Sequence, residues 1–224
     1  MPIMKEPQDK RIDKLNDNNI VGSILQQRYK IESFIDQGSN GTVYDVYDTK
    51  NPQEHFVVKL SSEYKDFAME INMMRRISEH SFGKYSCPKV VAYGMAAHKE
   101  NLMAWVIMPR YGRNLEYICQ KMQYKLLKSS IYDIGNAILT TLEAVHKAGY
   151  VYNDLKLDNL MVGYNQKIYK KTNGCSMFTE CSMHLVDFGY ATKYKDKMGK
   201  HISKGEVSVF RGNIMFSSLA MQEF

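Results

Sequence analysis

Between Tyr29 and Met108 apolar positions come in short alternating or continuous runs. Beyond Arg113 they recur every three or four residues. The first spacing suits strands and the second suits helices. Strands are predicted at Tyr29 to Ile35, Thr42 to Tyr47, His55 to Leu60, Val90 to Tyr93 and Leu102 to Met108. The turn Gly38-Ser39-Asn40-Gly41 joins the first two. Lys65 to Ser78 sets Phe67, Ile71, Met74 and Ile77 on one side of a helix. Further helices are predicted at Arg113 to Gln123 and Ile131 to Ala148, the second with an apolar stripe of Ile134, Ile138, Leu142 and Val145. Residues 1–28 are polar and charged with little periodicity, and read as a flexible leader. The change of regime near Met108 to Gly112 predicts an α+β, two-lobed fold over 29–224, with an N-lobe at about 29–111 and a C-lobe at about 112–224.

Composition narrows the picture. A chain of 224 residues, 44% hydrophobic, suits one globular unit or two small lobes. The net charge of +6 comes without a Lys/Arg stripe interleaved with aromatics, so no nucleic-acid partner is expected. The basic residues gather at 193–211. Cysteines at 87, 119, 175 and 181 form no CxxC pair, which argues against a zinc site or a disulfide framework and for reduced thiols. No apolar run reaches membrane-spanning length and no secretory signal is visible, so the expected compartment is cytoplasm and/or nucleus, with no membrane.

The most informative stretch is Tyr152-Asn153-Asp154-Leu155-Lys156-Leu157-Asp158-Asn159, followed by Asp187-Phe188-Gly189. Moving a phosphoryl group needs a carboxylate by the attacking hydroxyl, a cation by the phosphate and oxygen ligands for Mg²⁺. Asp154 suits the first task and Lys156 the second. Asn159 and Asp187 carry the hard oxygens Mg²⁺ prefers. Either motif alone is an ordinary loop; their order and combination point to phosphoryl transfer. Upstream, glycines such as Gly38 and Gly41 let backbone N–H groups approach phosphate. Lys59 ends an apolar strand, and Glu70 on the next helix is its expected partner, with Glu63 the alternative.

From about Tyr29 to the end the chain resembles a eukaryotic protein kinase. It is most similar to the casein kinase 1 group, including the vaccinia-related branch. That group's activation segment is similar to Ala191-Thr192-Lys193-Tyr194-Lys195-Asp196, His201-Ile202 and Gly212-Asn213-Ile214-Met215-Phe216-Ser217-Ser218, and Tyr111-Gly112-Arg113-Asn114-Leu115-Glu116 resembles its segment after the hinge. The resemblance implies a five-stranded N-lobe sheet with one main helix, and a helical C-lobe. It implies ATP and Mg²⁺ as cofactors and Ser/Thr-bearing proteins as substrates of a monomeric enzyme. Asp154 and Lys156 become the catalytic pair, and Asn159 and Asp187 the metal ligands. Lys59 becomes the phosphate-contacting lysine held by Glu70. Ile35, Gly38, Gly41, Val43, Val57, Met108, Pro109, Tyr111 and Met161 line the ATP site, with Val186 a further apolar wall.

Several positions depart from the family pattern. Asp36 replaces the first loop glycine, and Tyr152-Asn153 stands where His-Arg is common. The usual arginine pairs with an activation-loop phosphate, and Asn153 carries no charge to do so. Asn213 replaces a threonine that steadies the catalytic Asp and Lys. Gly205 stands where an arginine for phosphate-primed substrates is frequent, with Lys204 and Arg211 nearby. The loop from Gly163 to Ser182 is longer than usual and reads as a surface insertion. The chain stops at Phe224, before the large C-lobe helices the resemblance implies, so the C-lobe reads as incomplete and the chain as a fragment. The competing readings are a pseudokinase or scaffold that binds nucleotide weakly or not at all, and a small-molecule kinase.

Overall fold

The structure is a computed structural model and describes residues 12–38, 41–80, 85–164, 168–170, 176–178, 182–196, 198–203 and 212–222. Ser39, Asn40, Cys175, Cys181, Lys204, Gly205, Arg211 and Phe224, all named above, lie outside the described residues. In chain order the elements are β1 (Ile12–Lys14), β2 (Ile24–Leu25), β3 (Tyr29–Gly38), β4 (Gly41–Asp48), β5 (His55–Ser61), α1 (Tyr64–Ser78), β6 (Tyr85–Ser86), β7 (Ala92–His98), β8 (Asn101–Pro109), α2 (Leu115–Lys121) and α3 (Lys128–Lys147). There follow β9 (Tyr150–Val151), a 3₁₀ turn at Leu157–Asn159, β10 (Leu160–Val162), β11 (Ile168–Lys170), β12 (Ser176–Phe178), β13 (Met183–Leu185), β14 (Thr192–Lys193), a second 3₁₀ turn at Ile214–Phe216 and α4 (Leu219–Gln222). The chain divides into two compact units, one of residues 1–75 and 89–110, the other of 76–88 and 111–224.

The first unit is a seven-stranded sheet in the order β1-β7-β8-β5-β4-β3-β2. It has two strands more than the sequence predicted, and both come from the presumed leader. Residues 12–28 are built into the fold: Leu15 and Leu25 are fully buried, and Ile12 to Lys14 run parallel to Met95 to Ala97. Their short apolar signals, one or two residues each, are too brief to register as periodicity. The sheet curls until its margins meet, where the Gln26 N–H donates to Asp13 Oδ1 at 3.0 Å. Arg28 adds a two-pronged ion pair to the fully buried Asp48, at 2.8 and 2.7 Å.

Alternation divides the sheet into two faces. Val46, Phe56, Val58, Leu60, Trp105 and Ile107 join Leu15, Leu25, Tyr29 and Ile31 in one apolar cluster. Trp105 lies so close to Gly94 that a Cβ there would sit 2.6 Å from the indole ring. The intervening residues face the other way: Val43 pairs with Lys59, Lys59 with Val106, and Val57 with Met108. In α1, Phe67, Ile71, Met74 and Ile77 are all nearly or fully buried, as the spacing predicted.

In the second unit, Asn114 caps α2, its Oδ1 accepting from the Tyr117 N–H at 2.9 Å. α3 buries Ser130, Ile134, Ala137, Thr141, Ala144 and Val145. Ile138 and Leu142, placed on the predicted stripe, are only half-buried, because small residues let the helix approach along a neighbouring line. A three-stranded sheet, β10-β13-β6, carries the chain into the D-F-G turn, and β14 pairs with β9. The insertion after Gly163 contains a hairpin, with Ile168 opposite Phe178 and Lys170 opposite Ser176. Its base is fastened by the Gly163 N–H to the Ser182 carbonyl at 3.0 Å.

Candidate active site

Lys59 leaves β5 on the face opposite the apolar cluster and meets α1. Its Nζ donates to both carboxylate oxygens of Glu70, at 2.8 and 3.0 Å. Both side chains are almost excluded from water, at 10% and 5% exposure, so the pair is a fixed structure and not a surface contact. Phe67, one helical turn before Glu70, places its ring 5.7 Å from the Lys59 ammonium. That contact was not anticipated, although the i, i+3 spacing from Phe67 to Glu70 puts both on one helix face.

The other predicted residues of the first unit lie on the same sheet as this lysine. Val43, Val57 and Met108 share its sheet face through the register just given, and Pro109 pairs with Phe56 at the end of β8. Ile35 lies at a register shift of β3 and is 40% exposed. Gly38 and Gly41 face each other across the hairpin end. Gly41 has φ +137, and a Cβ there would lie 2.3 Å from the Leu60 carbonyl oxygen. Its backbone therefore requires glycine. Gly38 has open space around it.

In the second unit, Asp154 is 2% exposed, held at the end of the stretch that follows β9. Its Oδ2 receives two hydrogen bonds, from Lys156 Nζ at 2.9 Å and from Asn159 Nδ2 at 2.7 Å. Asn159 Nδ2 also donates to the Asp154 carbonyl at 3.0 Å, which closes the loop on itself. Oδ1 of Asp154 makes no hydrogen bond among the described residues, so one carboxylate oxygen is clamped while the other is left to accept a proton. Burial opposes the charge on Lys156, but the bond to Asp154 and the fields of Asp154, Asp187 and Asp158 outweigh it, and its pKa lies above the ordinary lysine value. Tyr152 lies beneath the D-F-G turn: its ring meets Phe188 edge-on at 5.2 Å, and its hydroxyl donates to the Val186 carbonyl. Asp187 adopts φ 59, an uncommon backbone state for a residue other than glycine.

The sequence family of the protein kinase domain matches residues 29–213, which include every one of these side chains. The chain belongs to the protein kinase family. Among its relatives, a Caenorhabditis elegans protein provisionally named a serine/threonine-protein kinase is 28% identical over 91% of this chain and 56% of its own length. An Arabidopsis thaliana serine/threonine-protein kinase is 24% identical over 77% of this chain and 40% of its own. A second C. elegans protein, provisionally named a casein kinase I, is 25% identical over 98% of this chain and 60% of its own. The chain thus spans about half the length of the curated relatives it matches.

Within this kinase domain, Asn213 departs from what the sequence suggested, and Tyr111 makes a contact the sequence did not show. Asn213 does not bond to Asp154 or Lys156 among the described residues. Its Oδ1 caps the following 3₁₀ turn by accepting from the Met215 N–H at 2.9 Å. Tyr111 stacks flat on His184, with ring centroids 4.0 Å apart, and His184 Nδ1 lies 3.2 Å from Ser86 Oγ. His184 is also the strand partner of Met161. No sequence signal marked this histidine.

The donor set fits a magnesium ion. Asn159 uses both amide hydrogens on Asp154, which turns its Oδ1 outward as an acceptor, and Asp187 adds a carboxylate. No group of three or more His, Cys, Asp or Glu side chains suited to a metal occurs among the described residues. Two protein ligands accord with the habit of Mg²⁺ of taking its remaining oxygens from phosphates and water. No helix among the described residues is long and apolar enough to cross a membrane.

Proposed function

We propose that this chain is the catalytic part of a casein kinase 1-like serine/threonine kinase, which transfers the γ-phosphate of ATP to Ser or Thr hydroxyls of proteins. The observation that carries this reading is the clamp on Asp154. A buried carboxylate with Oδ2 fixed by Lys156 and Asn159 has its second oxygen oriented toward an incoming hydroxyl. Asp154 accepts the hydroxyl proton as the new O–P bond forms, the bond from the γ-phosphorus to the bridging oxygen breaks, and ADP leaves with that oxygen. Lys156, cationic throughout the physiological range, stabilises charge gathering on the transferred group. Lys59, fixed by Glu70, binds the α- and β-phosphates. Val43, Val57 and Met108, on one face of the first unit's sheet, offer apolar contacts to the adenine. Asn159 and Asp187 hold Mg²⁺, which when bound neutralises phosphate charge. The pattern D-L-K-x-x-N favours Ser/Thr over Tyr acceptors, and the segment from Ala191 to Ser218 supports the casein kinase 1 assignment, together with the casein kinase I-named relative.

The test is transfer of labelled γ-phosphate to casein. Asp154→Ala is expected to cut turnover by roughly 10²–10⁴-fold, the usual weight of a positioned acid–base group, with ATP affinity unchanged. Wild-type turnover in the variant would remove Asp154 from the role. Nucleotide binding without any transfer by the wild type would favour a pseudokinase.

A further inference from the structure

Asn153 occupies an uncommon backbone state, with φ 66, immediately before Asp154. Asparagine tolerates that left-handed region better than most residues. Its side chain is then aimed across the D-F-G segment. Nδ2 donates to the Tyr190 carbonyl at 3.0 Å and to Thr192 Oγ1 at 2.9 Å. These two bonds use both amide hydrogens. The backbone carbonyl of Asn153 points the other way, to Gly212 and Asn213: the Asn213 N–H lies 3.4 Å from it. A Cβ on Gly212 would come within 2.3 Å of that same oxygen. One residue thus touches the activation segment at both of its described ends, beside Tyr190 and Thr192 and beside Gly212 and Asn213.

The continuation supports the same arrangement. Thr192 and Lys193 pair with Val151 and Tyr150, so the strand that receives the Asn153 amide is hydrogen-bonded to the strand leading into it. The Tyr194 N–H bonds to the Gly149 carbonyl at 3.0 Å, and the Ile202 N–H returns to the Tyr194 carbonyl at 2.8 Å. All of these partners are neutral. An amide needs only a carbonyl and a hydroxyl, and both are already in place.

We infer that the side-chain amide of Asn153 is a positioning group, which fastens the segment after D-F-G to the catalytic loop by neutral hydrogen bonds. The inference rests on the kinase reading above. Asn153 acts through Asp154, its chain neighbour. When the amide is lost, the loop shifts and the carboxylate loses its aim, while the nucleotide contacts made by Lys59 are untouched. The signature is therefore a fall in kcat with KM for ATP unchanged.

Two substitutions separate the amide from the backbone. Asn153→Gly suits φ 66 and removes the side chain. Asn153→Asp keeps the size and the left-handed tolerance, but sets a carboxylate oxygen against the Tyr190 carbonyl. Both are expected to lower kcat for casein phosphorylation on the order of tenfold, the weight of one or two neutral hydrogen bonds. Thr192→Val is expected to give a smaller loss. Wild-type kcat in both Asn153 variants overturns the inference. A wild type without transfer activity sinks the kinase reading instead. The clasp is then read from amide hydrogen exchange at Thr192 to Tyr194: faster exchange in Asn153→Asp than in wild type supports it, and equal exchange overturns it.

Discussion

At the scale of single residues, the Lys59–Glu70 pair is the clearest meeting of stability with the proposed chemistry. Removing one partner leaves a charge buried without compensation. Lys59→Met is therefore expected to destabilise the protein by about 3–5 kcal/mol and to abolish the thermal shift produced by Mg·ATP. The double variant Lys59→Met with Glu70→Leu should regain most of the melting temperature and none of the nucleotide response. A double variant no more stable than Lys59→Met would show that the loss comes from packing and not from the stranded carboxylate. The sequence suggested this pair because the lysine ends an apolar strand and Glu70, on the next helix, is flanked by an apolar face. Glu63 was the open alternative, and the structure resolves it: Glu63 lies outside the helix, its N–H held by Ser61 Oγ at 3.2 Å. Asn213 was read less well. Its side chain can serve a turn or a neighbour equally, and only the local 3₁₀ turn decided between them.

At the scale of elements, the β3–β4 hairpin shows two glycines under different constraints. Gly41→Ala forces a Cβ into the Leu60 carbonyl in a left-handed backbone, and is expected to cost about 1–3 kcal/mol. Gly38→Ala meets open space, so it should leave the melting temperature unchanged and instead raise KM for ATP, if phosphate approaches there. Thermal melts of the two variants check the first half of the contrast and ATP titration the second; equal melting of both would reject it. The longer elements were legible because their periodicity runs over many residues. β1 and β2 were not, since two or three residues cannot display a period, and β1 finds its partner only in the distant β7. The buried line of α3 was displaced for a related reason. Size patterning marks where large side chains lie, whereas close approach is made by Ala137, Thr141 and Ala144.

At the scale of the whole molecule, acid should act on the two units in different pH ranges. Burial lowers the pKa of His184 to about 4 from its ordinary 6.5. The unfolded chain then binds a proton between those values and the folded chain does not, so stability is fully present above pH 6.5 and falls as the pH drops toward 4. In the other unit, the Arg28 bond holds Asp48 below its ordinary 3.8 against the opposing effect of burial, so its contribution is lost only as the pH falls below that value. Hydrogen exchange followed from pH 7 to 3 should show the unit containing His184 loosening first. His184→Phe, which keeps a ring for Tyr111 to stack on, should flatten that loss; an unchanged slope would assign it to another group. The curled sheet of the first unit has a consequence of its own. Similarity to the kinase family begins at residue 29, so a boundary drawn there would delete β1, β2 and the Asp13–Gln26 link that joins the sheet's margins. β3 and β7 would become bare edges, each with a row of backbone donors and acceptors ready to recruit a strand from another molecule. Residues 12–28 thus serve as a guard against templated self-assembly.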